Sequence, residues 1–338
     1  ESVLMGLADG SIDILVGTHA IFQQHVAYQK LGLIVIDEQH RFGVSQRLLL
    51  SEKAEQPPHL LAMTATPIPR TLTLTHYGEM DVSKIDEMPP GRTKIETLVV
   101  SDSKLADVIN GLGRHLSAGG QAYWVCPLVE ESEAVDAAAA EDRAAMLRQR
   151  FGADRVGLVH GRMKGQDKDD VMASFASGDL GVLVATTVIE VGVDVPNATL
   201  IIVEGAERFG LAQLHQLRGR VGRGVGASRC ILLRGQNLTE TGRARLTMMR
   251  ETNDGFRIAE EDLRLRGPGE ILGTRQSGEQ NFRVASAEDV AELAPIAQGD
   301  ARLLLDRDGG LASDRGQAAR LCLYLFERDQ AVALLRSG

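Results

Sequence analysis

Short apolar runs, each closed by polar or turn-forming residues, recur along the chain at positions 12–16, 31–36 and 59–63, then at 95–100, 122–126, 156–159, 181–185, 200–203 and 230–233. Runs of four to six apolar residues with little alternation predict short strands covered on both faces, the signature of a parallel sheet. Between them lie helix-forming stretches, of which 135–151 is the clearest, rich in Ala with Glu, Arg and Gln. The pattern predicts an α/β fold. The segment 87–92, Glu-Met-Pro-Pro-Gly-Arg, interrupts the alternation and predicts a boundary between two sheet domains. After Arg234 the texture becomes charged and helical over 239–251, then Gly-rich over 266–273. Apolar clusters at 301–305 and 321–326 predict terminal helices packed on the body. The expected division is 1–90, 91–235 and 236–338.

Chemistry is concentrated where apolar runs end. The run Leu33-Ile-Val-Ile gives way at once to Asp37, Glu38, Gln39 and His40. A parallel strand delivers such residues to its carboxyl end, and the acid pair suits a Mg²⁺-nucleotide: Asp37 to hold the metal's water shell, Glu38 to activate the water that attacks a γ-phosphate. A solvated polar turn is the plainer alternative for this octapeptide alone. One strand later, Thr64 and Thr66 flank Ala65 before Pro67, either a simple strand-to-helix turn or an element coupling two sites. In the second series Thr186, Thr187, Gly192 and Asp194 follow another apolar run, and small residues with hydroxyls permit close approach of backbone to phosphate. Arg220 and Arg223 stand three apart with Gly222 between them and Gly219 and Gly224 on either side. On a helix this spacing places both guanidiniums on one face, suited to phosphate charge growing in a transition state, unless the face is merely solvated.

The bulk numbers narrow the partners. A net charge of −9 over 338 residues argues against a polyelectrolyte-type nucleic-acid binder, so any such site is a local patch. Cys126, Cys230 and Cys322 are far apart without clustered histidines, which indicates neither a zinc site nor a disulfide framework, and a reduced cytoplasmic setting is the simplest expectation. No apolar run approaches the roughly 20 residues that span a bilayer.

Taken together, Asp37 to His40, Thr64-Ala65-Thr66, the stretch 186–194 and Gln216-x-x-Gly219-Arg220-x-Gly222-Arg223 resemble motifs II, III, V and VI of the superfamily 2 helicases, and Gly17-Thr18-His19-Ala20 resembles motif Ib. The stretches 254–260 and 262–278, the latter reading Asp-Leu-Arg-Leu-Arg-Gly-Pro-Gly-Glu before Gly-Thr-Arg-Gln-Ser-Gly, are similar to the translocation motif of that family's double-stranded DNA translocases. The resemblance implies tandem RecA-like parallel-sheet domains, the first incomplete, followed by a helical translocation hairpin and a carboxyl-terminal extension. It implies ATP and Mg²⁺ as cofactors and branched double-stranded DNA, meaning stalled forks and four-way junctions, as substrate. Single-strand-binding protein is a further partner, and the motor a monomer.

By the same resemblance Gln39 and His40 sense the nucleotide state, Thr64 and Thr66 relay between sites, Gly192, Asp194 and Gln216 belong to the ATP side, and Arg220 and Arg223 reach the γ-phosphate. Thr18, His160, Arg162, Thr186 and Thr187 would touch DNA phosphates without reading bases. Arg264, Arg266, Arg275 and Gln276 would serve translocation, although Glu260, Glu261 and Asp262 among them equally suit a salt-bridged solvated helix. The pattern departs from the family in one respect: no Gly-Lys-Ser or Gly-Lys-Thr occurs, so the P-loop is missing from these residues. The chain is therefore expected to be the carboxyl-terminal part of a longer motor, weak in hydrolysis alone and least stable over about 1–86. A transcription-repair coupling translocase is one alternative, disfavoured by Pro268, where that branch usually has Ala. A non-catalytic nucleic-acid-binding module is the other.

Overall fold

The computed structural model describes residues 2–23, 25–38, 58–64, 83–88, 92, 94–127, 133–186, 195–224, 226–266 and 287–325. Its elements in chain order are α1 (Ser2–Asp9), β1 (Leu33–Ile36), β2 (His59–Ala62), β3 (Glu96–Ser101), α2 (Leu105–Ser117), β4 (Gln121–Val125), α3 (Glu133–Phe151), β5 (Val156–Val159), α4 (Gly165–Ala176), β6 (Val182–Ala185), β7 (Ala198–Val203), α5 (Leu211–Arg218), β8 (Arg229–Arg234), α6 (Glu240–Glu251), α7 (Gly255–Arg266), α8 (Ala287–Arg307) and α9 (Asp314–Leu325). Two compact units result, Glu1–Ala65 with Glu292–Gly338, and Thr66–Ala291.

The larger unit is built on six parallel strands in the order β3-β8-β7-β4-β6-β5. Every residue of β4 is buried, as expected for a central parallel strand. Side chains alternate across it: Tyr123 and Val125 join one apolar cluster, Ala122 and Trp124 the other. Helix α2 presents Val108, Leu112 and Leu116, and α3 presents Ala140, Ala144 and Leu147, to the Trp124 side. These are helical spacings, and the alanines let α3 approach closely. The Tyr123 side is covered by Phe175 of α4, Leu211, Leu214 and Leu217 of α5, Leu246 and Met249 of α6, and Ile258 of α7. From β4 the chain runs outward to β5 on one side and later to β7 and β8 on the other. Strand order therefore reverses at β4, the place where open α/β sheets leave a crevice beyond the strands' carboxyl ends.

The smaller unit differs from expectation in three places. Residues 12–16 form no strand, and Ile14 and Val16 are exposed. A strand exists through its ladder to a neighbour, and here the Ile12 amide instead donates to Gly6 O at 3.0 Å, turning back on α1. Strands β1 and β2 do pair in parallel, but only Ile34 and Ile36 of β1 are buried while Leu33, Val35, Leu60 and Leu61 are exposed. The sheet is covered on one face rather than two. At the carboxyl end both expected helices form as α8 and α9, yet Leu293, Ile296, Leu303, Leu321, Tyr324 and Leu325 are exposed, so their apolar residues are not packed as the sequence suggested.

Candidate functional site

The pairing of β1 with β2 places the candidate residues of the first unit side by side. Ile36 is opposite Ala62, and the Met63 amide donates to Ile36 O at 2.8 Å, so Asp37–Glu38 and Thr64 emerge together at the carboxyl ends of neighbouring parallel strands. Asp37 Oδ1 accepts from the Glu38 amide at 2.8 Å. Glu38 itself has φ +49°, a left-handed conformation that a non-glycine residue adopts at a cost of about 1–2 kcal/mol. That turn departs sharply from the strand and leaves the Glu38 side chain half-buried. Two adjacent carboxylates fit Mg²⁺, which takes one or two protein carboxylates and fills its remaining positions with water and phosphate oxygens. Among the described residues no cluster of three or more His, Cys, Asp or Glu could hold an ion by protein groups alone. Thr18 is exposed ahead of a short 3₁₀ turn, and its side chain makes no cap. Gln39, His40 and Thr66 lie outside the described residues.

In the second unit His160 and Thr186 end adjacent strands: Val159 is opposite Ala185, and the Thr186 amide donates to Val159 O at 3.3 Å. Both are buried. His160 Nε2 lies 3.5 Å from Glu141 Oε1, and its Nδ1 has no hydrogen-bond partner among the described residues. Arg162 is exposed in the following turn, which Lys168 braces by donating from Nζ to Gly161 O at 3.0 Å. Beside them, Glu204 beyond β7 accepts from Trp124 Nε1 at 2.6 Å and pairs with Arg143, whose guanidinium lies over the Trp124 ring. Burial, reinforced by Glu204, pushes the Cys126 thiol up to about 12, and burial does the same to Cys230, so neither is a nucleophile at neutral pH.

Arg220 and Arg223 do not share a helical face. Helix α5 ends at Arg218, Gly219 caps it, and the chain then turns through Gly222 at φ +82°. Closely spaced glycines favour turns over helix, and a Cβ on Gly222 would come within 3.0 Å of Ile95. Both arginines thus sit on a tight loop beyond the helix. Gln216 is half-buried within α5. Two residues that sequence reasoning passed over organise this region. Arg92 donates from Nε to Gly222 O at 3.1 Å and from Nη2 to Gly219 O at 3.5 Å, clamping the loop from both ends. Arg218, fully buried, donates from Nη1 to Met249 O at 2.9 Å and Thr252 O at 2.8 Å, joining α5 to the carboxyl end of α6. Neither partner set has a local sequence signal.

On α7, Arg264 makes a double hydrogen bond to Glu261, at 2.9 and 2.5 Å, on an exposed surface. This is the salt-bridged arrangement that the sequence left open, and it draws the Glu261 carboxyl below its ordinary range. Arg266 closes α7. Thr187, Gly192, Asp194, Arg275 and Gln276 lie outside the described residues.

Three family models match: DEAD/DEAH box helicase over residues 2–75, helicase conserved C-terminal domain over 103–225, and the C-terminal piece of domain 3 of ATP-dependent DNA helicase RecG over 252–317. The ATP-dependent DNA helicase RecG of Escherichia coli O157:H7 is 55% identical over 306 residues, 89% of this chain and 44% of the relative. The chain belongs to the RecG family. RecG of Bacillus subtilis strain 168 is 50% identical over 309 residues, 91% of this chain and 45% of the relative, so the chain spans less than half the length of these RecG proteins. A solved structure of RecG bound to a three-way DNA junction is 41% identical with a TM-score of 0.65, covering 88% of this chain and 37% of that one. The structure of the Mycobacterium smegmatis helicase Lhr, 17% identical with a TM-score of 0.51, shares the fold. The parallel sheets with their carboxyl-edge residues are thus the helicase architecture that the motifs implied.

Proposed function

We propose that this chain is part of an ATP-driven double-stranded DNA translocase that remodels forks and four-way junctions in recombination and repair. The observation carrying the proposal is the identity of half or more to RecG helicases along nearly the whole chain, including the match at 252–317. The RecG solved on a three-way junction supports branched DNA as the substrate. In this reading residues 1–90 belong to one motor domain, 91–235 form the second, and 236–338 carry the translocation element and terminal helices. The motor works as a cytoplasmic monomer, with single-strand-binding protein as a partner.

Mg²⁺, bound with ATP, neutralises phosphate charge. Asp37 would hold its water shell, and Glu38, at the left-handed turn, would accept the proton of the attacking water. Gln39, His40, Thr64 and Thr66 report the nucleotide state. Arg220 and Arg223 supply positive charge to the γ-phosphate from a loop that Arg92 holds in place. Gly192, Asp194 and Gln216 complete the nucleotide side, while Thr18, His160, Arg162, Thr186 and Thr187 contact DNA phosphates. Arg264, Arg266, Arg275 and Gln276 act in translocation, where Arg264 must exchange its Glu261 pairing for phosphate.

A chimera joining this chain to the amino-terminal part of the Escherichia coli relative tests the assignment. DNA-stimulated ATP hydrolysis in the parent chimera, lost in Glu38→Gln and Arg220→Ala with junction binding retained, is the expected result. A folded parent without DNA-stimulated hydrolysis overturns it.

A further inference from the structure

A cavity of about 320 Å³ lies in the larger unit, between the edge strand β3, the segment after β8 and one face of α6. Arg243, Thr247 and Arg250 face it from α6 at helical spacing, Arg234 enters from the end of β8, and Gln236 adds an amide. Val99 and Leu246 form its apolar wall. Among the described residues no carboxylate lines it. Arg250 has a loose contact with Glu251 at 3.8 Å, both more than half exposed, which solvent screens. Three guanidiniums line this partly apolar cavity, Arg234 also donating from Nη1 to Gly235 O at 3.1 Å, and together they offer an anion charge-assisted donors. In a chain of net charge −9 this is a local basic site rather than a reflection of overall charge. Its α6 residues fall between the matches ending at 225 and beginning at 252, so neither family model accounts for them.

We infer that this cavity is a phosphate-binding site that takes the DNA backbone, a second anchor separate from the His160–Arg162 turn. The inference rests on the translocase reading for the identity of the phosphate, and on the cavity alone for its chemistry. Guanidinium forks grip phosphate oxygens in pairs, and the amide and hydroxyl supply further donors. The His160–Arg162 turn follows β5, and the cavity borders β3 and the end of β8, so both anchors belong to the same sheet. Strand β5 stands four positions from β8, roughly 19 Å at about 4.8 Å per strand. A backbone advancing about 3.4 Å per nucleotide covers that distance in roughly six nucleotides. Contacts of this kind hold register and carry no sequence preference.

Binding of short duplexes of unrelated sequence is measured against salt for the wild-type chain, the exposed single variant Arg243→Gln and the triple variant Arg234→Gln/Arg243→Gln/Arg250→Gln, with thermal midpoints reporting folding. The slope of log affinity on log salt is expected to fall by about 0.9 for each phosphate contact removed, equally for all sequences, with the single variant intermediate. Wild-type binding with an unchanged slope in both variants overturns the inference and leaves the translocase reading standing. Inorganic pyrophosphate is the second probe, expected to raise the thermal midpoint of the wild type and not of the triple variant. Protection by pyrophosphate with unaltered DNA slopes makes the cavity a free-phosphate site and overturns the DNA assignment. Should the wild-type chain bind no DNA, the DNA assignment of the cavity is overturned while the chimera still decides the translocase reading, and pyrophosphate decides the cavity by itself: equal response of wild type and triple variant removes the site.

Discussion

Arg218 is a buried cation held by two backbone carbonyls together with Thr97 Oγ1 and His215 Nδ1, and this makes it a structural tie rather than a surface charge. Its partners Met249 O and Thr252 O belong to the last turn of α6 and its cap, where helix carbonyls lack intrahelical donors and a cation is electrostatically favoured. Arg218→Met keeps the stem but leaves those carbonyls unsatisfied. A loss of about 2–4 kcal/mol in denaturant-derived stability is expected. His215 depends on the same residue, since its Nδ1 lies 3.2 Å from Arg218 Nη2, an arrangement requiring an unprotonated ring nitrogen. Burial foremost, then the charge of Arg218, lower the His215 pKa to about 4, with Asp254 opposing. The folded value lies below the unfolded one near 6.5, so the unfolded state binds the proton more readily. The stabilising contribution is therefore complete above about pH 6.5 and is lost as pH falls from there through about 4. Urea midpoints measured across that interval are expected to fall less steeply in His215→Gln than in the wild type, and parallel curves would refute the assignment.

At the scale of elements, the loop beyond α5 illustrates what sequence exposes and what it hides. Strands β3 to β8 were legible as short apolar runs, continuous and buried in the central β4, β6 and β7, and α3 because its residues are strong helix formers. The i,i+3 spacing of Arg220 and Arg223 misled, since the glycines around them end the helix at Arg218. Those glycines were the available signal. Residues 12–16 misled for another reason: apolar character specifies a strand only when a neighbour offers its ladder, and the Ile12 amide turns to α1 instead. The role of Arg92 was not legible at all, because its acceptors lie 127 and 130 residues away. Removing that clamp is expected to loosen the loop without unfolding the sheet. In Arg92→Ala, amide exchange at Arg220 and Val221 should accelerate by tenfold or more, about 1.4 kcal/mol of lost local protection, while Trp124 and Ile201 keep theirs. Unchanged exchange at the loop would show that Gly219 and Gly222 hold it unaided.

The two units of the molecule differ in the amount of core that each owns, and their resistance to opening should differ accordingly. The larger unit covers both faces of the central strands of its six-stranded sheet, with Trp124, Tyr123, Phe175, Leu183, Ile201 and Ile202 all fully buried. The described part of the smaller unit has two paired strands and buries Ile34 and Ile36 between Ile21, Tyr28 and Leu31. A two-stranded sheet is marginal by itself, and Ile34 and Ile36 give this one little core of its own. The carboxylates proposed to act on ATP thus stand on the less protected sheet. Native-state hydrogen exchange of this chain is expected to release the amides of Val35, Ile36 and Met63 by local opening far below the global unfolding free energy, whereas those of Trp124, Val184 and Ile202 exchange only by global unfolding. Exchange rates should diverge further as denaturant approaches zero, because global openings are suppressed steeply and local ones hardly at all. Equal protection of the two sheets would mean that the smaller unit draws its stability from contacts other than its own strands, and Asp37 and Glu38 would then rest on as firm a base as the loop of Arg220 and Arg223.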